Sequence, residues 1–265
     1  MKKLLPLFIL FSLFTLLSSH EFWLQPSRFI YKKGEKATIR FRVGENFEGD
    51  NWTGDRSKIN FLSLYLNGEK TDISSTLSGN KGDSIRYILP TDGTAMIVYN
   101  GLNSFIELEP TKFNAYLEED GLRNAIDYRN EHHENDSMSH EYYQRSVKTF
   151  LQVGEKYDSS FKQPTPLPLD IIPMQHPYLI RDKQKMTVKI LFNKQPLIEQ
   201  LVKIWYKEDG KIIKEDLLSD ENGMVSFKLK RSGSWMVSTV KMVHLDNDPK
   251  ANWQSYWGSC TWGYE

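Results

Sequence analysis

Polar and apolar residues alternate along much of this chain with a period of two. In Lys36 to Val43, the residues Ala37, Ile39, Phe41 and Val43 fall on one face, as in a half-buried strand. Phe61 to Leu66 and Ile85 to Leu89 read the same way. Thr94 to Tyr99 is a short apolar run with β-branched residues. Turn-forming clusters such as Glu48 to Asp55 and Leu77 to Asp83 lie between them. Short strands punctuated in this way predict a sandwich.

The last hundred residues repeat the pattern more cleanly. Met186 to Phe192, Leu201 to Lys207, Lys211 to Leu217, Met224 to Leu229, Trp235 to Val243 and Gln254 to Tyr264 are expected strands. Asp209-Gly210 between two of them is a strong hairpin signal. Asp220-Glu221-Asn222-Gly223 and Arg231-Ser232-Gly233 mark further turns.

Only the middle departs from period two. Glu109-Pro110-Thr111 precedes Lys112 to Arg129, where Phe113, Tyr116, Leu117 and Leu122 recur near helical spacing. Gly121 interrupts this stretch, so one helix or two short ones would fit. Tyr142 to Val153 reads as a short helix leading into a strand. The prolines of Gln163 to Pro168 favour an extended connector, because each disfavours helix in the residue before it. The expected fold is therefore mainly β: two β-sandwich domains (immunoglobulin-like or prealbumin-like), residues 20–163 and 164–265. A short α-helical insertion over about 110–150 belongs to the first.

The N-terminus adds a location. Lys2 and Lys3 precede an apolar run from Leu4 to Leu17, and Ser18 and Ser19 follow as small residues. This is the pattern of a secretory signal peptide, and the run is shorter than the roughly 20 residues of a spanning helix. A periplasmic or otherwise extracytoplasmic protein starting at His20 is expected. The 265 residues carry no net charge, which gives no general pull on nucleic acid. The single cysteine, Cys260, rules out an intrachain disulfide, and its aromatic surroundings suggest a buried thiol. Motifs for a nucleophile elbow, a phosphate loop, His-Glu-x-x-His and Cys-x-x-Cys are all missing, so no catalytic residues are assigned.

Several segments together resemble one family. They are His20-Glu21-Phe22-Trp23-Leu24-Gln25-Pro26, Val43-Gly44-Glu45-Asn46-Phe47, Glu109-Pro110 with Phe113 and Tyr116-Leu117, and Asp120-Gly121-Leu122. Leu167 to Pro173, Asp220 to Gly223 and Asn252 to Trp257 complete the set. Their order resembles the domain of unknown function 4198 family, some of whose members are nickel-transport-like periplasmic proteins. The second half resembles prealbumin-like and collagen-adhesin B-type sandwiches. The resemblance implies a role in metal uptake.

Histidine chemistry is compatible with that role. A terminal His20 would offer two neutral nitrogens, its α-amine and a ring nitrogen, for one chelate. Imidazole suits nickel, copper and zinc. His244, at the end of an expected strand and before Asp246-Asn247-Asp248, is the preferred partner, and His176 is the second candidate. His132, His133 and His140 form a separate loop cluster. The leading expectation is a non-catalytic protein that binds a divalent transition metal and supports nickel or cobalt uptake, with copper or zinc as alternatives. A membrane transporter or an outer-membrane receptor would be its partner. The alternative is a metal-free binding or adhesion module for a glycan, a peptide or an outer-membrane partner, using aromatics such as Trp253, Tyr256, Trp257, Trp262 and Tyr264. A copper-dependent oxidative enzyme with a terminal-histidine site is the third reading.

Overall fold

A computed structural model describes residues 20–52, 55–78 and 83–265. The expected signal segment, residues 1–19, lies outside the described residues. The first half supplies nine strands: β1 (Glu21–Pro26), β2 (Ile30–Tyr31), β3 (Lys36–Glu45), β4 (Glu48–Asn51), β5 (Ile59–Leu66), β6 (Glu69–Asp72), β7 (Ser84–Ile88), β8 (Gly93–Gly101) and β9 (Ser104–Leu108). Helices α1 (Pro110–Glu119) and α2 (Arg123–Glu131) follow, then β10 (Ser139–Val153). Next come β11 (Leu169–Pro173), β12 (Lys185–Phe192), β13 (Gln195–Pro196), β14 (Leu201–Glu208) and β15 (Lys211–Leu218). The chain ends with β16 (Met224–Lys228), β17 (Ser234–His244) and β18 (Trp253–Gly263).

Three sheets form among the described residues. The central one runs β15-β14-β17-β18-β10-β8-β5-β6, with β2 and β9 also paired to β10. It draws strands from both halves, joined where β10 pairs in parallel with β18 from Glu141↔Trp253 to Thr149↔Thr261. A smaller sheet of β1, β3, β4 and β7 and another of β11, β12, β13 and β16 complete the set.

Side-chain alternation sends the two faces of the central sheet to different cores. Ala95, Ile97 and Tyr99 of β8 join Val147 and Leu151 of β10 in a core with Phe22, Leu24, Ile39 and Phe41. Met96 and Val98 point the other way, with Phe150, into a core containing Val188, Ile190, Phe227, Cys260 and Trp262. That is why every residue of β8 is buried. The fold is thus mainly β and sandwich-like, with one sheet serving both cores.

The middle of the chain corrects two expectations. Residues 139–153 form one continuous strand, with no helix at its start. This strand has partners on both sides, β8 and β9 on one and β18 on the other, and this pairing overrides local propensity. The helical insertion therefore ends at Glu131 and not near residue 150. Gly121 separates two short helices; its φ of 61° suits glycine, and an added Cβ would lie 2.8 Å from Leu201. Phe113, Tyr116 and Leu117 of α1 pack with Val240, Met242 and Trp253. The hairpin at Asp209-Gly210 has both residues at positive φ, 48° and 73°, as a type I′ turn needs. Cys260 is free and buried. Among the described residues no helix is long and apolar enough to cross a membrane.

Candidate functional site

His20 stands immediately before β1. Register Glu21↔Gly44 carries on to place His20 opposite the end of β3, and its Nε2 lies 3.6 Å from Glu45 Oε1. Both side chains are about two-fifths exposed, at 41% and 43%. Glu45 is held there by a close crossing of β3 and β4. Gly44 faces Gly49, and a Cβ on Gly44 would sit 2.1 Å from the Glu48 carbonyl oxygen. Only glycine lets the strands approach this closely.

The β1 strand is fixed from behind by polar contacts. Ser259 Oγ donates to the Phe22 carbonyl at 2.7 Å, and Thr261 Oγ1 donates to that of Leu24 at 2.8 Å. Alternation points Glu21 inward, where Lys203 of β14 lies between two carboxylates. Lys203 Nζ is 2.7 Å from Asp120 Oδ1 and 3.5 Å from Glu21 Oε1. All three are buried. The lysine charge goes first to the nearer Asp120. Burial outweighs its effect on Glu21, whose pKa is pushed up to about 7. The cavity they line with Ser238 and Thr239 holds about 10 Å³, the lower limit for one water.

A second buried carboxylate lies near this triad. Glu141 Oε1 accepts from Ser255 Oγ and from Tyr116 OH. Trp257 Nε1 donates to the same Ser255 oxygen at 2.9 Å. Glu141 Oε2 is buried without a hydrogen-bond partner among the described residues. Burial pushes the Glu141 pKa up to about 7, against the pull of the two hydroxyl donors.

His244 ends β17, away from this network. Its Nδ1 is 2.8 Å from Asp246 Oδ1. A carboxylate only accepts, so Nδ1 carries a proton and Nε2 keeps its lone pair in the neutral ring. His244 and His132 stack on the Tyr128 ring at 4.0 and 3.9 Å. Two rings separated by a third cannot share one ion whose nitrogen ligands sit within about 2.1 Å. His140 is 3.7 Å from Glu107. Among the described residues, no group of three His, Cys, Asp or Glu side chains is placed to hold a metal. His20, His244 and His176 are not brought into one such group.

His176 is integrated into the fold. Its Nδ1 accepts the Tyr178 N–H at 3.1 Å. Its Nε2 lies 2.9 Å from Thr94 Oγ1, whose hydroxyl donates to Gln152 Oε1. Thr94 therefore accepts from Nε2–H, and both ring nitrogens are committed. Burial pulls the His176 pKa down to about 4, partly offset by Asp158. The sign of the linkage follows: the unfolded ring binds a proton near pH 6.5 and the folded ring only near 4. Stability from this site is present above about pH 6.5 and is lost as pH falls through 4. After a discount for partial solvent access, about 1–2 kcal/mol should disappear over that window. Urea midpoints of wild type and His176→Gln across it test this; equal pH slopes would contradict the burial of a neutral ring.

A wider cleft lies elsewhere, between β1, β3 and β4 on one side and the β14–β15 hairpin on the other. It encloses about 490 Å³, lined by Trp23, Arg42, Phe47, Lys207 and Ser234 among others. Lys207 Nζ bridges it to Glu48 Oε1 at 3.2 Å.

Sequence reasoning missed Glu45 as a neighbour of His20, as well as the Glu21–Lys203–Asp120 triad and Glu141. Nothing in the local sequence marks contacts between residues so far apart. Only the β1–β3 register, readable in principle from two alternating strands, could have suggested Glu45.

The profile of a family described as a domain of unknown function (DUF4198) matches residues 17–242. No curated protein matches this sequence. Among solved structures, the chain is similar to dimeric latent PorU from Porphyromonas gingivalis: 10% identity over 92% of this chain and 20% of that one, TM-score 0.20. A DUF4785 family protein from Legionella pneumophila is 8% identical over 81% of this chain and 51% of its own, TM-score 0.25. A marsupial T cell receptor is 9% identical over 91% and 73%, TM-score 0.22. The chain thus spans about a fifth of PorU and about half of the Legionella protein.

Proposed function

We propose, from the premise that the chain belongs to the domain of unknown function 4198 family, that it is an extracytoplasmic protein that captures a divalent transition metal at an amino-terminal His20. Nickel or cobalt is the favoured cargo, and copper and zinc are the competing ions. The observation that carries this reading is the placement of the His20 ring 3.6 Å from the Glu45 carboxylate on an accessible edge. With cleavage after Ser19, the α-amine, the ring and Glu45 would supply two nitrogens and one oxygen. That donor set suits nickel and copper. The α-amine loses its proton near pH 8, far more readily than a lysine. Glu45 would add the charge that a divalent ion needs, and the remaining positions would stay open to solvent or a partner. His244 and His176 stand outside this set, for the geometric reasons given. Capture and hand-over to a membrane transporter need no catalytic group.

The rigid backing of β1 supports the same reading. Ser259 and Thr261 fix the strand, and Glu21 anchors the first peptide to Lys203. A terminus held in this way loses little entropy on chelation. Titration of nickel, cobalt, copper and zinc into protein with a mass-verified His20 start is the test. A matched protein with one residue added before His20 is titrated in parallel. One site per chain, weakened at least about a hundredfold by the extension, is the expected result. Binding indifferent to the extension would remove the His20 site. The cleft beside Trp23 favours a second reading, a binding module for a glycan or peptide, and that outcome would move it to first place.

A further inference from the structure

Lys148 and Asp170 meet in the core between the two halves of the chain. Lys148 lies on β10, opposite Cys260 of β18. Asp170 lies on β11, the first strand after the proline connector. The two side chains are 1% and 6% exposed, and Lys148 Nζ touches Asp170 Oδ1. Phe150, two positions further along β10, and Cys260 belong to the apolar core that also holds Leu169 and Ile171.

A buried ammonium ordinarily spends its N–H bonds on acceptors. This one does not. Neither Lys148 Nζ nor Asp170 Oδ1 has a hydrogen-bond partner among the described residues. The atoms are in contact without the alignment of a hydrogen bond. Lys203 shows the contrast. Its ammonium donates to Asp120 at 2.7 Å and to Glu21 at 3.5 Å, beside a water-sized cavity. The Lys230–Glu208 pair lies at the surface, with side chains 55% and 25% exposed. Such pairs persist as ions. At Lys148 and Asp170 the cost of taking two charges out of water is met by one contact alone.

The second oxygen of Asp170 is held differently. Oδ2 accepts from Thr165 Oγ1 at 2.8 Å, and the Leu167 N–H donates to that hydroxyl oxygen at 3.3 Å. One carboxylate oxygen thus faces the amine, and the other faces a fixed donor. A donor aimed at an oxygen that gains charge lowers the barrier to attack on its carbon. Reacting groups held in contact have effective molarities of about 10⁵ M or more.

We propose that Lys148 and Asp170 condense into an intramolecular amide, with loss of one water. One Nζ proton passes to Oδ1, which leaves a free amine and a carboxylic acid. The Nζ lone pair attacks Cγ, and Oδ2 takes the displaced electron pair beneath the Thr165 hydroxyl. A second Nζ proton moves to Oδ1, the Cγ–Oδ1 bond breaks and Oδ1 departs as water. The Cγ–Oδ2 double bond re-forms. Ammonium and carboxylate become one N–H and one carbonyl, and no co-reactant is needed. Burial pushes the Cys260 thiol up to about 12, so it stays protonated and does not compete as a nucleophile. The amide ties β10 of the central sheet to β11 of a smaller one and encloses the connector. It is independent of the metal reading.

The test is the intact mass of the purified, denatured protein, with its N-terminus established by sequencing. The chain should be lighter than its sequence by one water. A tryptic digest should contain a branched peptide that joins the segment ending at Lys148 to the segment containing Asp170, with no cleavage after Lys148. Lys148→Met and Asp170→Ala should each restore the full sequence mass. A wild-type chain of full mass would overturn the proposal. So would a deficit that survives in Lys148→Met, because the water would then have left elsewhere. Should the variants not fold, the wild-type mass and its branched peptide decide alone. Metal titrations at His20 bear on none of these outcomes.

Discussion

Replacing Lys203 with methionine is expected to destabilise the fold by about 3–5 kcal/mol near neutral pH. The lysine is paired with both Glu21 and Asp120 in a pocket too small for more than a single water. Methionine fills similar volume, so packing loss is a minor part of the cost. What remains is a pair of buried carboxylates that have lost the lysine, and removing the partner of a buried charge is the expensive event. The two acids can escape by taking up protons, so the penalty should shrink toward pH 5. Neutralising both in the same background, as Glu21→Gln and Asp120→Asn, should recover most of the loss, since a well-packed neutral substitute for a buried ion pair is often harmless. Urea unfolding at about pH 7.5 and about pH 5 measures both effects. A loss below about 1 kcal/mol at the higher pH would mean that the triad is wetter than its burial indicates.

Glu141→Gln is expected to change how stability depends on pH. The folded carboxyl has its pKa pushed up to about 7 from the ordinary 4.5, chiefly by burial. A raised folded pKa means that the folded state holds its proton where the unfolded chain has released it. The contribution is complete below about pH 4.5 and lost as pH rises through 7. Between pH 5 and 9 wild type should therefore lose about 3 kcal/mol from this residue. Glutamine cannot ionise, and it can still accept from Ser255 and Tyr116. The variant should be no more stable than wild type at pH 5, where its amide nitrogen takes the partnerless place of Oε2. It should gain relative to wild type at pH 9. Thermal melts across this range report the difference, and parallel curves for the two proteins would show that Glu141 stays charged when folded. Glu21 carries its own slope of the same sign, so the comparison must be between variants and not against a flat baseline.

Strands with one buried face were legible in the sequence. Lys36 to Val43 and Met186 to Phe192 lie within β3 and β12 because alternation alone defines them. The helices showed through Phe113, Tyr116 and Leu117, and the split at Gly121 needed only one glycine at positive φ. Residues 139–153 were misread at their start because a strand paired on both sides loses the alternation that marks it. Polar Tyr142 to Arg145 then resemble a helix turn. The candidate site was legible only as far as His20 itself. Its neighbour Glu45 depends on a strand register. Buried charges were illegible for the same reason. Lys203 lies in a strand that reads as an ordinary half-exposed hairpin arm, and no local pattern says that two acids await it.

The position of β18 between β17 and β10 also bears on the order in which the chain can fold. The central sheet is closed at its middle by the most C-terminal strand described. As the chain is delivered from its N-terminal side, β10 and β17 wait with open edges until residues 253–263 arrive. Glu141 must then find Trp253 and Phe22 must find Ser259 across very long loops. High contact order of this kind slows folding, and two unpaired edges are sticky while they last. The chain behaves as an arch whose keystone is laid last: the earlier strands can gather, but the span between the halves carries nothing until β18 is in place.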